Sequence, residues 1–210
     1  RLANLEAGVN ISPSVPPVSV LDGLLLHHGK TFSKPQSYSY RQAAHSQYYV
    51  KCYDKGLQYG LKETVLRFEL KWVKMQILND LGIRNAADLL QPLKLDILGE
   101  LLIKHWEVIL FYDHTIELSK LSPRQKTEAL QYANQIFWKN SEPCKRYRPR
   151  IRLKEITEAY SKNVHAKIKK LIEDKWQDLT SECIIIDHSS IGSDVIQFMS
   201  FDEGRRINSK

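Results

Sequence analysis

Three segments in the first half of the chain carry carboxylate, lysine and tyrosine at every second position. They are Asn4, Glu6 and Asn10; then Tyr49, Lys51, Tyr53 and Lys55; then Arg67, Glu69 and Lys71. Gathered on one surface, this mixture suits chemistry on a phosphodiester. A tyrosine hydroxyl can attack phosphorus and keep the bond as a phosphotyrosine ester. Its free pKa near 10 makes it a poor nucleophile, so a nearby lysine helps by favouring phenolate. Carboxylates can hold Mg²⁺ or Mn²⁺, which polarises the scissile phosphate. The same pattern also describes an exposed sheet face with ordinary cross-strand ion pairs.

The elements that must position these residues are strands. Residues 2–11 alternate, with Leu5, Ala7, Val9 and Ile11 on one side. Residues 48–55 form a second strand. In residues 64–72, Leu66, Phe68, Leu70 and Trp72 oppose Arg67, Glu69 and Lys71, which is the clearest strand pattern in the chain. If the three are neighbours, their polar faces merge into one surface. Residues 18–28 read as a short helix stopped by Gly29, and residues 31–46 as a loop or hairpin arm. Further helices are expected from Val73 to Gly82, after an Asn85 cap, over residues 95–110, and from Ser122-Pro123, with serine as N-cap and proline at the first helical position. Residues 153–179 read as one long amphipathic helix, and Cys183 to Ile186 as a strand.

Charge is concentrated. Of 31 basic and 24 acidic residues, the stretch 139–154 holds Lys139, Lys145, Arg146, Arg148, Arg150, Arg152 and Lys154 against Glu142 alone. This local excess of +6 nearly equals the chain's +7. Arginine forks match phosphate oxygens, and Tyr147 can stack on a base. Pro143 and Pro149 interrupt the run, so its charge is not expected to be absorbed by helical ion pairs. Nucleic-acid contact by Lys145, Arg146, Arg148, Arg150 and Arg152 is the functional reading; a solvated linker is the plain one. His27-His28 reads as a helix end, and His105, His114 and His165 as partly exposed helix residues.

Composition excludes several classes. At 210 residues the chain can bury a sizeable core without disulfides. Its three cysteines have no CxxC spacing, which excludes a zinc ribbon and fits a reducing, cytoplasmic setting. No apolar run is long enough to span a membrane. There is no Walker A loop, no GxGxxG and no HExxH. Residue 1 is Arg and the first segment reads as structured, so the natural N-terminus is expected to lie upstream.

Four stretches, in order, resemble a known family: Leu5-Glu6-Ala7-Gly8-Val9-Asn10-Ile11 after Arg1-Leu2; Tyr53-Asp54-Lys55-Gly56; Leu66-Arg67-Phe68-Glu69-Leu70-Lys71; and Leu81-Gly82-Ile83 followed by Ala87-Asp88-Leu89-Leu90. Their order and spacing resemble phage and plasmid rolling-circle replication initiators, especially those of Bacteroidetes mobile elements, and are similar to filamentous-phage nicking proteins. The resemblance covers about the first 110 residues. It implies an antiparallel sheet flanked by helices and a metal-dependent endonuclease that nicks one DNA strand through a tyrosine, then rejoins it. Carried over, Glu6 and Glu69 become metal ligands for Mg²⁺ or Mn²⁺. Tyr53 and Lys55 fall in the matching Tyr-Asp-Lys element, with Tyr49, Tyr38 and Tyr40 as rival nucleophiles. The His-hydrophobic-His metal motif of many rolling-circle nucleases has no counterpart here.

The expected molecule is therefore α+β: a sheet-containing nicking domain over residues 1–110, a helical basic region over 111–180, and a strand or tail over 181–210. Lys51, Arg67 and Lys71 join the basic run as nucleic-acid contacts. The expected partners are single-stranded or origin DNA and host replication proteins, with no membrane. Two other classes stay open: a non-catalytic DNA-binding module, and a scaffold protein docking through its long helix.

Overall fold

Strand and helix signals compete most closely where apolar residues run together, and there the fold departs from the expectation. The computed structural model describes residues 1–33 and 39–181. Tyr38 and the strand expected at Cys183 to Ile186 lie outside the described residues. In chain order the elements are β1 (Leu5–Ile11), α1 (Pro17–Gly23), β2 (Leu24–His27), β3 (Lys30–Thr31), β4 (Tyr40–Ala44), β5 (Tyr48–Asp54), α2 (Lys55–Tyr59) and β6 (Leu66–Trp72). There follow α3 (Gln76–Asp80), α4 (Pro92–Glu107), β7 (Ile109–Phe111), α5 (Pro123–Ala133), α6 (Gln135–Asn140), α7 (Tyr147–Tyr160) and α8 (Val164–Ser181).

The fold is α+β, with two antiparallel sheets and a mainly helical second half. The larger sheet has the order β1-β6-β5-β4, the smaller β3-β2-β7. The three strands expected from alternation are neighbours, so the condition for a shared polar face is met. Ala7, Val9, Ile11, Val50, Cys52, Leu66, Phe68, Leu70 and Trp72 are buried on one face. That face packs on α4 and α8, with Trp106 edge-on to Phe68 at 5.1 Å. Gly99 of α4 lets the two helices approach: a Cβ there would lie 2.3 Å from the Trp176 ring. A second core joins Leu25 and Leu26 of β2 to Tyr112, Trp138, Leu153 and Ile156.

Residues 18–28 are not one helix. The helix ends at Gly23, and the apolar run Leu24–His27 is a strand buried along its whole length. A continuous apolar run has no period to separate a buried strand from a buried helix. β2 and β3 are joined by His28-Gly29, both with positive φ (45° and 79°). That pairing suits a two-residue turn matched to the strand twist.

Residues 153–179 are not one helix either. α7 and α8 are broken at Ser161 to Asn163, where Asn163 has φ 52°. The break is held by buried Asp113, which accepts from the Val164 N–H (2.8 Å) and the Ser161 hydroxyl (3.0 Å). Its other oxygen accepts from the Thr115 N–H and hydroxyl. A carboxylate beside the first turn of α8 also favours the helix dipole. The Ser122 and Asn85 caps form as expected, each as a reciprocal capping box. After the Asn85 cap the chain makes a short 3₁₀ turn.

Candidate functional site

The open face of the larger sheet collects the residues that alternation assigns to it. Across the strands Glu6 faces Lys71, Asn10 faces Arg67, Lys51 faces Glu69, and Tyr53 lies between Arg67 and Tyr40. Glu69 is buried at the centre. Its carboxylate accepts from Lys51 Nζ (2.9 Å), Arg67 Nε (2.5 Å) and the Tyr53 hydroxyl (3.3 Å). Glu6 accepts from Lys71 (2.7 Å) and Lys51 (3.3 Å). The hydrogen bond from Lys71, with help from Lys51, holds the Glu6 carboxyl below the usual range. Gly8 faces Glu69 and makes room for it, since a Cβ there would sit 2.5 Å from the Glu69 Cβ.

The surroundings of Tyr53 and Tyr40 disfavour the phenolate form. Burial and the Glu69 charge hold the Tyr53 hydroxyl well above the ordinary tyrosine value. Burial pushes Tyr40 up to about 12. Lys55, the first residue of α2, has its ammonium over the Tyr59 ring at 5.6 Å. Glu6 and Glu69 are bridged by the Lys51 ammonium.

The metal-capable group is elsewhere. His27, His28 and His105 place ligand nitrogens within 4.8 Å of one another. His27 ends β2 and is wholly buried. Its Nδ1 lies 2.8 Å from His45 Nε2, and its Nε2 lies 3.0 Å from His105 Nδ1. His28, in the left-handed turn, brings its ring to 4.6 Å from His27. His45 comes from the β4–β5 connection and His105 from the last turn of α4. Burial, then repulsion from the other imidazoles, lowers His27 to about 2; burial lowers His105 to about 4. Neutral imidazole is the form that binds a metal. A three-nitrogen donor set of this kind fits a transition-metal ion. Tyr48 packs on the group, its ring 4.7 Å from His45 and 4.8 Å from His105.

None of these four histidines was assigned a site role from the sequence. Only the His27-His28 pair signalled anything locally; the others meet it from 18 and 78 residues away.

The basic run is more structured than its prolines suggested. Pro143 opens a 3₁₀ turn, and Pro149 sits in the first turn of α7, where no backbone N–H is needed. Helical pairs do form. Arg152 bonds Glu128 and Glu155, each at 2.9 Å, and Lys154 lies 3.7 Å from Glu158. Lys145 pairs with Glu142, and Arg146 donates to the Ser141 carbonyl. Arg148 and Arg150 are exposed, and no carboxylate partner is found for them among the described residues. Arg150 and Lys154 line a cleft of about 620 Å³ between α7 and β7, with His28 also on its wall.

Comparison with protein-family models, curated proteins and solved structures returned no match. Among the described residues, no helix is long and apolar enough to cross a membrane.

Proposed function

We propose that the chain is a rolling-circle replication initiator, a metal-dependent nuclease that nicks and rejoins a DNA strand through tyrosine. The observation that carries this reading is the His27, His28 and His105 group with the Tyr48 ring packed against it. His27 and His105 would hold the ion from the core and His28 from the surface. A bound ion supplies Lewis-acid polarisation of a phosphoryl oxygen. Of the two metals expected from the family resemblance, Mn²⁺ suits imidazole better than Mg²⁺, and Zn²⁺ suits it better still.

Tyr48 is the tyrosine nearest the group and replaces Tyr53 and Tyr49 as the proposed nucleophile. Burial raises its pKa, so it must lose its proton as it attacks. His45, stacked on the Tyr48 ring and held below its ordinary pKa by burial, is the base we assign to take that proton. The Tyr48 proton passes to the base, the Tyr48 oxygen bonds phosphorus, the P–O3′ bond breaks, and the leaving O3′ takes up a proton from that base or from water to give the 3′ hydroxyl that primes synthesis. The cleft lined by His28 and Arg150 would carry the flanking backbone phosphates toward the histidines.

The test is labelled single-stranded DNA with Mn²⁺ or Zn²⁺, followed by a denaturing gel. A covalent adduct abolished by EDTA and by Tyr48→Phe, and retained by Tyr53→Phe, supports the reading. Loss with Tyr53→Phe alone would return the nucleophile to the open sheet face. A second reading, a non-catalytic DNA-binding module, draws on Arg148 and Arg150, which have no carboxylate partner among the described residues. Salt-sensitive binding without any adduct would select it.

A further inference from the structure

The proposed chemistry leaves the open face of the larger sheet without a role. Residues alternate across a strand, so Tyr48 faces the histidines while Tyr49 faces the other side. Over that side lies a cavity of about 830 Å³, whose walls include Tyr40, Tyr49, Tyr53, Gln42, Lys51 and Glu69.

The charges here are internally matched. Lys51, Arg67 and Lys71 are all bonded to Glu6 or Glu69. A surface built for phosphate leaves its cations uncommitted, as Arg148 and Arg150 are left on α7. What this face offers is aromatic area and fixed hydrogen-bonding groups. The Tyr40 and Tyr53 rings stack on each other at 5.7 Å and 27°, with their hydroxyls donating to Gln42 and Glu69. Tyr49 lies between Ala44 and Lys71 in the register and lines the cavity. Planar heterocycles stack on such surfaces irrespective of sequence. Amide and carboxylate groups held by neighbours can then meet base edges.

We propose that this face binds the unpaired bases of single-stranded DNA, stacked on Tyr49 and on the Tyr40–Tyr53 pair, as a subsite separate from the histidine group. The choice of DNA as the polymer rests on the function proposed above; the preference for bases over phosphates rests on this face alone.

The experiment uses the full chain in EDTA. Fluorescence anisotropy compares labelled oligothymidylate of about 12 nucleotides, an abasic oligonucleotide of equal length, and a duplex. The single strand should bind, with the abasic strand and the duplex each weaker by about tenfold or more. Tyr49→Leu should weaken the single strand by about tenfold, and Tyr49→Phe, which keeps the ring, should restore it. Equal binding of the abasic strand, unchanged binding by Tyr49→Leu, or no binding of any strand would each overturn the proposal. Adduct formation is scored separately on the same protein, with Mn²⁺ or Zn²⁺ in place of EDTA. Base-dependent binding with no adduct sinks the nuclease reading and leaves this subsite standing; adduct formation with base-independent binding does the reverse.

Discussion

Tyr48 and Tyr49 are consecutive in β5 and serve opposite sides of one sheet. The Tyr48 ring stacks on His45 at 4.7 Å, while Tyr49 lines the cavity over the polar face. A strand repeats every two residues, so one step along the chain separates a tyrosine beside a metal-capable group from one that is not.

The histidine group should bind a transition metal, and the exposed member offers the cleanest test. His28→Ala removes a ligand on the surface, so unfolding temperature without metal should stay near wild type. Metal affinity by isothermal calorimetry should fall by about a hundredfold, in the range known for disrupting such sites. Added Zn²⁺ or Mn²⁺ should raise the melting temperature of wild type and not of the variant. Equal metal stabilisation of both proteins would rule out His28 as a ligand.

Acid should destabilise the metal-free protein from an unusually high pH. His27 titrates near 6.5 when unfolded and near 2 when folded. Below 6.5 the unfolded chain takes up the proton that the folded chain refuses. Stability is therefore unaffected by this group above that pH and declines as pH falls, by about 1.4 kcal/mol per unit. His105 acts in the same direction down to about 4. Denaturant midpoints from pH 7.5 to 5 should show the slope, and His27→Phe should flatten it.

Glu69 should matter for stability whatever the open face binds. It is buried, and its carboxylate is the shared partner of Lys51 and Arg67. Glu69→Leu strands two partly buried cations and should cost about 3 kcal/mol. Gly8→Ala forces a Cβ into the Glu69 side chain and the Phe68 carbonyl. It should cost about 1–3 kcal/mol by overpacking. Urea unfolding at neutral pH measures both; a neutral Gly8→Ala would mean that the β1–β6 pair is looser than its register implies.

The basic residues of the 139–154 stretch should divide into two groups. Arg148→Ala and Arg150→Ala should leave folding unchanged and each lower the salt slope of DNA binding by about 1. Arg152→Ala removes a partner of Glu128 and Glu155, and its effect should appear in stability. A uniform loss of affinity across all three, at constant slope, would argue against backbone phosphate contacts.

How far the sequence reaches follows from which interactions are local. Alternation in residues 2–11, 48–55 and 64–72 identified three adjacent strands, because burial on one face imposes a period of two. The Ser122 and Asn85 caps were legible because a cap is a contact over three residues. β2 was misread because Leu24–His27 is buried on both sides and has no period. The α7–α8 break was missed because its cause, Asp113, lies 48 residues before Ser161.

The sequence by itself therefore determined the α+β class, three of the four strands of the larger sheet and most of the polar face they share. Tertiary structure alone decided what those side chains do to one another. It set Lys51 between Glu6 and Glu69, and it brought His27, His28, His45 and His105 together from β2, the turn after it, the β4–β5 connection and α4. Periodicity says which way a side chain points; only packing between distant segments says what it meets there.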